Sequence, residues 1–171
     1  MKLKNQLKNQ AGQVLIESVV AMSLVVIGLL GILTLLSNSI AFNRNIANKL
    51  AATYLAAEGI EVMKSIADEN YTQGGVWGTT LPTGKYEATH DASIGNLRVV
   101  AGDFSSNPLL FDSETGVYGY DSGVPTIFTR TVKVLNSTDN METKINSIVR
   151  WADKGESKEV DLEDHFFNWR P

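Results

Sequence analysis

From Ser18 to Asn43 the chain carries no charged side chain, and its densest part reads VVAMSLVVIGLLGILTLL from Val19 to Leu36. No other feature constrains the fold as much. At a rise of about 1.5 Å per residue, roughly 20 such residues cross a hydrocarbon core of about 30 Å. A buried core helix of a soluble protein can be this apolar, but rarely for so long. Lys2, Lys4 and Lys8 precede the span and no acid does. The excess of cations puts the N-terminus on the cytoplasmic side of the inner membrane, with the C-terminal part outside. A cleaved secretory signal is the nearer competitor. Its apolar region is about 7–15 residues long and ends in a small-residue site; this run is longer and continues into a helical pattern.

The boundary of the span reads Ala11-Gly12-Gln13-Val14-Leu15-Ile16-Glu17-Ser18. A carboxylate is costly in a bilayer, about 2.5–3.5 kcal/mol at the centre and less near the edge, so Glu17 calls for a partner. Cleavage after Gly12 would create an α-amino group at Gln13 and make Glu17 the fifth residue of the product. The amine of one subunit could then neutralise the carboxylate of the next as their helices pack side by side. The alternative is a signal-anchor with an incidental glutamate at its edge.

A basic leader ending in Gly, four mostly apolar residues, a Glu and a long apolar helix resemble the class III signal of type IV prepilins and type II secretion pseudopilins. The resemblance implies a prepilin peptidase that cuts the Gly12–Gln13 bond and methylates Gln13, and it makes Glu17 the assembly carboxylate. It also implies other pilin or pseudopilin subunits and an inner-membrane assembly platform as partners, with membrane lipid around the helix before assembly. The chain departs from the family pattern twice: Gln13 stands where Phe is usual, and the span has no proline. Gly28 and Gly31 could act as weak points, at about 1 kcal/mol each relative to Ala, or could let helices approach closely.

Beyond the span, apolar residues recur at helical spacing: Ile46, Leu50 and Tyr54; Ala47, Ala51 and Leu55; then Val62 and Ile66. Arg44, Lys49, Glu58, Glu61 and Lys64 are left for the other faces. The expected helix runs from about Gln13 to near Asp68–Asn70, and the segment Tyr71–Gly84 reads as a loop. Strand patterns follow at Lys85–His90, Asn96–Ala101, Leu109–Phe111, Val117–Tyr120, Thr126–Leu135, Lys144–Trp151 and Lys158–Leu162, with turns at Asn136–Asn140 and Asp153–Gly155. The last three should make an antiparallel meander with one face on the helix. The ending VRW-x-D-K-G-x-x-x-x-V-x-L also resembles the closing hairpin of minor pilins. The expected fold is therefore α+β and pilin-like: a leader at 1–12, a membrane or filament-core helix at 13–43, its amphipathic continuation at 44–70 and a β-sheet head at 71–171.

The composition excludes several chemistries. There is no cysteine, hence no disulfide, thiolate metal site or thiol nucleophile. Formal charge is −4, and loss of the three leader lysines would make it −7, since 12 basic residues would face 19 acidic ones. Such a product is ill suited to binding nucleic acid. His90 and His165 sit in no metal-ligand spacing, and no GxSxG, P-loop or GxGxxG occurs. The chain is read as a non-enzyme without a cofactor; a membrane-anchored hydrolase would need a nucleophile–base pair that the sequence does not offer. The acids Asp103, Asp112, Glu114 and Asp121 read as a solvated turn before a calcium site. Asn70-Tyr-Thr72 and Asn136-Ser-Thr138 are glycosylation sequons. Trp77, Tyr118, Tyr120, Phe166, Phe167 and Trp169 are read as core or edge residues, and the tail Phe166–Trp169 either closes the core or contacts another subunit. A non-polymerising, membrane-tethered binding module is the rival to a filament subunit.

Overall fold

The structure is a computed structural model that describes residues 3–75, 81–93 and 95–168, with side chains from Gly12 onward. It is an α+β chain. One helix, α1, spans Leu3–Thr72, and seven strands follow: β1 Gly84–Glu87, β2 Arg98–Val99, β3 Pro108–Phe111, β4 Tyr118–Gly119, β5 Val124–Asn136, β6 Glu142–Asp153 and β7 Glu156–Phe167. The chain divides into two compact units, Met1–Ile46 and Ala47–Pro171. The helix begins ahead of Gln13 and ends two residues past Asn70. It stops where Gly74, at φ 80°, takes a left-handed conformation that side chains disfavour.

All seven expected strands are present and all pair antiparallel. β5, β6 and β7 form the meander. β6 and β7 are joined by a turn in which Lys154 and Gly155 have φ of 52° and 86°. Two successive positive φ angles make a type I′ turn, whose twist matches the strands it joins. The other edge of β5 is shared. β1 pairs with its C-terminal half around Val132–Val134, and β3 pairs with its N-terminal half around Val124–Thr129. β2 lies outside β1, and β4 outside β3.

In the second unit, alternation decides which side of β5 meets α1. Phe128, Arg130, Val132 and Val134 are buried on the helix side. From the helix come Ala52, Leu55, Ala56, Val62, Met63 and Ile66. The core forms two clusters. One joins Ala52, Leu55 and Ala56 to Leu109, Tyr120, Phe128, Val149 and Trp151. The other joins Val62, Met63 and Ile66 to Leu81, Tyr86, Ala88, Val132, Val134 and Ile145. Each fully buried large apolar side chain contributes about 1.5–3 kcal/mol.

Several expectations are corrected here. Leu55, Val62 and Ile66 do face the sheet, but Ile46, Leu50 and Tyr54 are exposed, and so is Ala47. The stripe that is covered contains the smaller residues Ala52, Ala56 and Gly59, which let the helix backbone come close to the strands. The described part of the tail is the end of a strand that reaches the core at one residue. Phe166 and Phe167 belong to β7, with Phe166 packed on the second cluster and Phe167 exposed. Trp77 and Trp169 lie outside the described residues.

Candidate functional site

The first candidate is the helical surface around Gly12, Gln13 and Glu17. All three lie on α1 with exposed side chains, and a side chain built at Gly12 would meet nothing within 4 Å. Gln13 and Glu17 are four residues apart, which puts them on one face of the helix. The side chains of Lys2, Lys4 and Lys8 fall outside the described ones. From Val14 (64% exposed) to Leu36 (56%) the large apolar side chains are bare. The few polar groups among them are satisfied locally: Ser23 Oγ donates to the carbonyl of Val19 at 2.7 Å, and Thr34 Oγ1 to that of Leu30 at 2.9 Å. Hydroxyls bonded back in this way can enter an apolar medium without orphaned donors. The helix is long and apolar enough to cross a membrane.

The second candidate lies between the two core clusters. Arg130 is fully buried on the apolar side of β5. Its Nη1 donates to the carbonyl of Leu55 on α1 at 2.9 Å and lies 3.4 Å from the Glu58 carboxylate; its Nη2 donates to the carbonyl of Ala88. Tyr120 donates its hydroxyl to the carbonyl of Arg130 at 3.1 Å, and burial pushes the phenol up to about 12. At the same level Gly59 approaches the sheet so closely that a Cβ there would stand 2.4 Å from Ser147 Oγ. A buried guanidinium holding helix and strand carbonyls together fixes the helix register on the sheet. Sequence reasoning placed Arg130 on the Phe128–Val134 side but assigned it no role. The signal available was the single charge in an otherwise apolar alternation.

The outer face of the sheet is partly covered. Ser105 donates its backbone N–H to Thr131 Oγ1 at 2.7 Å and its hydroxyl to Glu87, which also accepts from Asn107 Nδ2 at 2.8 Å. The Phe104 ring lies under the Arg150 guanidinium, 3.1 Å from its centroid, with Lys133 Nζ at 4.4 Å.

The acids considered for calcium do not converge. Asp103 pairs with Lys85 at 2.7 Å, and that ammonium holds its carboxyl below the ordinary range. Asp121 pairs with Arg98. Asp112 accepts the backbone N–H of Glu114 at 2.9 Å, a turn contact that lowers its pKa, with Thr115 adding to the effect. A groove of about 160 Å³ beside them is lined by His90, Asp91, Asp112, Tyr118 and Asp121, but among the described residues no group of His, Asp or Glu is arranged to hold a metal ion. His165, in β7, lies between Glu142 and Glu163 and stacks on Phe167. Hydrogen bonds to the two carboxylates, Glu142 first, raise its pKa. Lys144, His165 and Asn146 together bring Glu163 down to about 2. The carboxylates occupy different ring nitrogens, so they stabilise imidazolium and do not form a metal cage. The Asn136 sequon is closed off in the folded chain: its Nδ2 donates to the carbonyl of Leu81 at 2.7 Å and its Oδ1 accepts from Thr143 at 2.7 Å.

These sites fall into two kinds: a bare helical surface bordered by one carboxylate, and contacts that close the head. No protein family, curated protein or solved structure matches this chain significantly.

Proposed function

We propose that the chain is a structural subunit, a minor pilin or pseudopilin, of a type IV pilus or type II secretion-like filament. On this reading prepilin peptidase cuts after Gly12, Gln13 becomes the new and methylated N-terminus, and the helix leaves inner-membrane lipid for the core of a filament outside the membrane. The observation that carries the reading is the run from Val14 to Leu36: largely apolar, exposed and charged only at Glu17. Lipid can cover such a surface before assembly, and the helices of neighbouring subunits can cover it afterwards. A carboxylate at its edge then gains a counter-charge only when a freed amine of another subunit arrives beside it. The Arg130–Glu58 contact suits the same task, because a helix pulled out of a membrane must carry its head with it. The chain needs neither a cofactor nor a catalytic residue for this role.

Mass spectrometry of the mature N-terminus tests the proposal. A chain beginning at Gln13 is expected, and a Gly12 substitution should leave the precursor uncut, seen as a slower band on a gel. Glu17→Ala should be cut normally yet be recovered in sheared filaments at much reduced yield. An intact leader in the native protein would favour the membrane-tethered binding module. Normal incorporation of Glu17→Ala would remove the charge-pairing argument.

A further inference from the structure

Among the described residues the sheet ends in three outer strands, β2, β4 and β7. β2 and β4 are two residues long each, too short to invite a further strand. β7 is twelve residues long and pairs only with β6. Its register runs without a bulge from Asp153↔Glu156 to Glu142↔Phe167, and it contains no proline. The two-residue turn at Lys154 and Gly155 makes Asp153 and Glu156 a hydrogen-bonded pair, so the even-numbered residues of β7 address β6. The odd-numbered residues from Ser157 to Phe167 turn their N–H and C=O groups outwards. A long, regular edge of this kind is a template for another strand, and β7 of a second copy is one such strand.

The side chains at those outward positions oppose that pairing. They are Ser157, Glu159, Asp161, Glu163, His165 and Phe167, all exposed on the outer face, with three carboxylates in succession. Val160 and Leu162 point the other way, against the core. Two copies of β7 that pair antiparallel keep outer face beside outer face, so odd residues meet odd residues. Centred on Asp161, the pairing sets Asp161 against its own copy and Glu159 against Glu163. Shifted one step either way, it sets Asp161 against Glu163 or against Glu159. Like charges directly opposite destabilise a strand pair. The cations that answer these acids stand on β6: Arg150 pairs with Glu159 at 2.9 Å and Lys144 with Glu163 at 2.6 Å. Asp161 accepts from Asn146 Nδ2 at 3.1 Å. Asp164 closes the edge further by accepting the outward backbone N–H of His165 at 2.8 Å. We propose that Glu159, Asp161 and Glu163 keep β7 single, so that the sheets of neighbouring copies do not run together. The requirement is the same whether or not chains assemble through α1.

The chain has no cysteine, so one introduced thiol reports self-pairing without interference. The test uses the full-length protein in detergent under mild oxidation, with disulfide-linked dimers read on a non-reducing gel. Asp161→Cys puts the thiol where two copies of β7 would cross, at a Cα separation a disulfide can span. With Glu159 and Glu163 in place, it should give little dimer at low salt. Adding Glu159→Gln and Glu163→Gln should raise the yield about tenfold, with tryptophan fluorescence as in the parent. Ser113→Cys, in an exposed turn away from β7, should stay low when combined with Glu159→Gln, Asp161→Asn and Glu163→Gln. A chain that carries Asp161→Cys alone should also give more dimer in about 1 M NaCl, where charges are screened beyond roughly 3 Å. This last arm leaves Glu159 and Glu163 untouched and decides even where the triple variant fails to fold. Equal dimer with and without Glu159 and Glu163 would overturn the proposal, as would equal dimer at positions 113 and 161, or a yield that salt does not raise.

Discussion

Gly59→Ala tests how closely helix and sheet approach in the head. The new Cβ would stand 2.4 Å from Ser147 Oγ and 3.2 Å from both Arg130 Cδ and Val132 Cγ2. Ser147 can turn its hydroxyl aside, but Arg130 and Val132 are fully buried and have nowhere to go. Forcing one extra carbon into such a layer costs about 1–3 kcal/mol. Ala is the better helix former by about 1 kcal/mol, so the net loss should be about 0–2 kcal/mol. Ser147 Oγ is itself buried without a hydrogen-bond partner, a state that costs about 1–3 kcal/mol. Ser147→Ala alone should therefore be neutral or stabilising, and it removes the nearest obstacle. The double variant should be more stable than the sum of the single changes by about 0.5–3 kcal/mol. Urea unfolding of the full chain in detergent, followed by tryptophan fluorescence, to which buried Trp151 contributes, measures all four proteins. Additivity within about 0.5 kcal/mol, or a Gly59→Ala protein about 1 kcal/mol more stable than the parent, would refute the close approach.

Arg130→Met keeps most of the buried stem but leaves the Leu55 and Ala88 carbonyls and the Glu58 carboxylate without their donor; the same unfolding assay should show a loss of about 3–5 kcal/mol, and a loss below about 1 kcal/mol would mean that Arg130 does not hold the helix. On the hairpin, Glu163 titrates low and His165 high. The Glu163 contribution is present above its ordinary value of 4.5 and is lost as pH falls towards 2. The His165 contribution is complete below its ordinary value of 6.5 and is lost as pH rises through its raised folded pKa. Stability from this pair should therefore be greatest between 4.5 and 6.5. In melting curves taken across pH, His165→Gln should lack the parent's decline above that window; parallel curves would exclude the role given to His165.

The helix and the strands were legible because their signals are local. An uncharged run that long fixes α1, and the alternation Phe128–Val134 fixes the buried side of β5. The hidden parts depend on contacts distant in sequence. Nothing in the helical spacing says that Ala52 and Ala56 will be covered while Leu50 and Tyr54 stay bare, because that choice is made by Gly59 meeting Ser147 across the sheet. Nor does a strand pattern show that Thr131 on the outer face will be buried, since its cover is the chain around Ser105. At the proposed assembly site, Gly12, Gln13 and Glu17 were all readable, because the chemistry there is one bond and one charge.

Arg130 reaches across 75 positions of sequence to Leu55, and the wall against which Met63 and Ile66 rest is shared between Leu81, Tyr86 and Ala88 and the later Val132, Val134 and Ile145. As the polypeptide is made, these helical residues therefore emerge before much of their cover does. Throughout that interval the emerging polypeptide shows water a greasy strip whose cover is completed only by β5 and β6. A stop codon ahead of β6 would leave the helix without a folded sheet to cover it, a target for proteolysis more than a shorter version of the same protein.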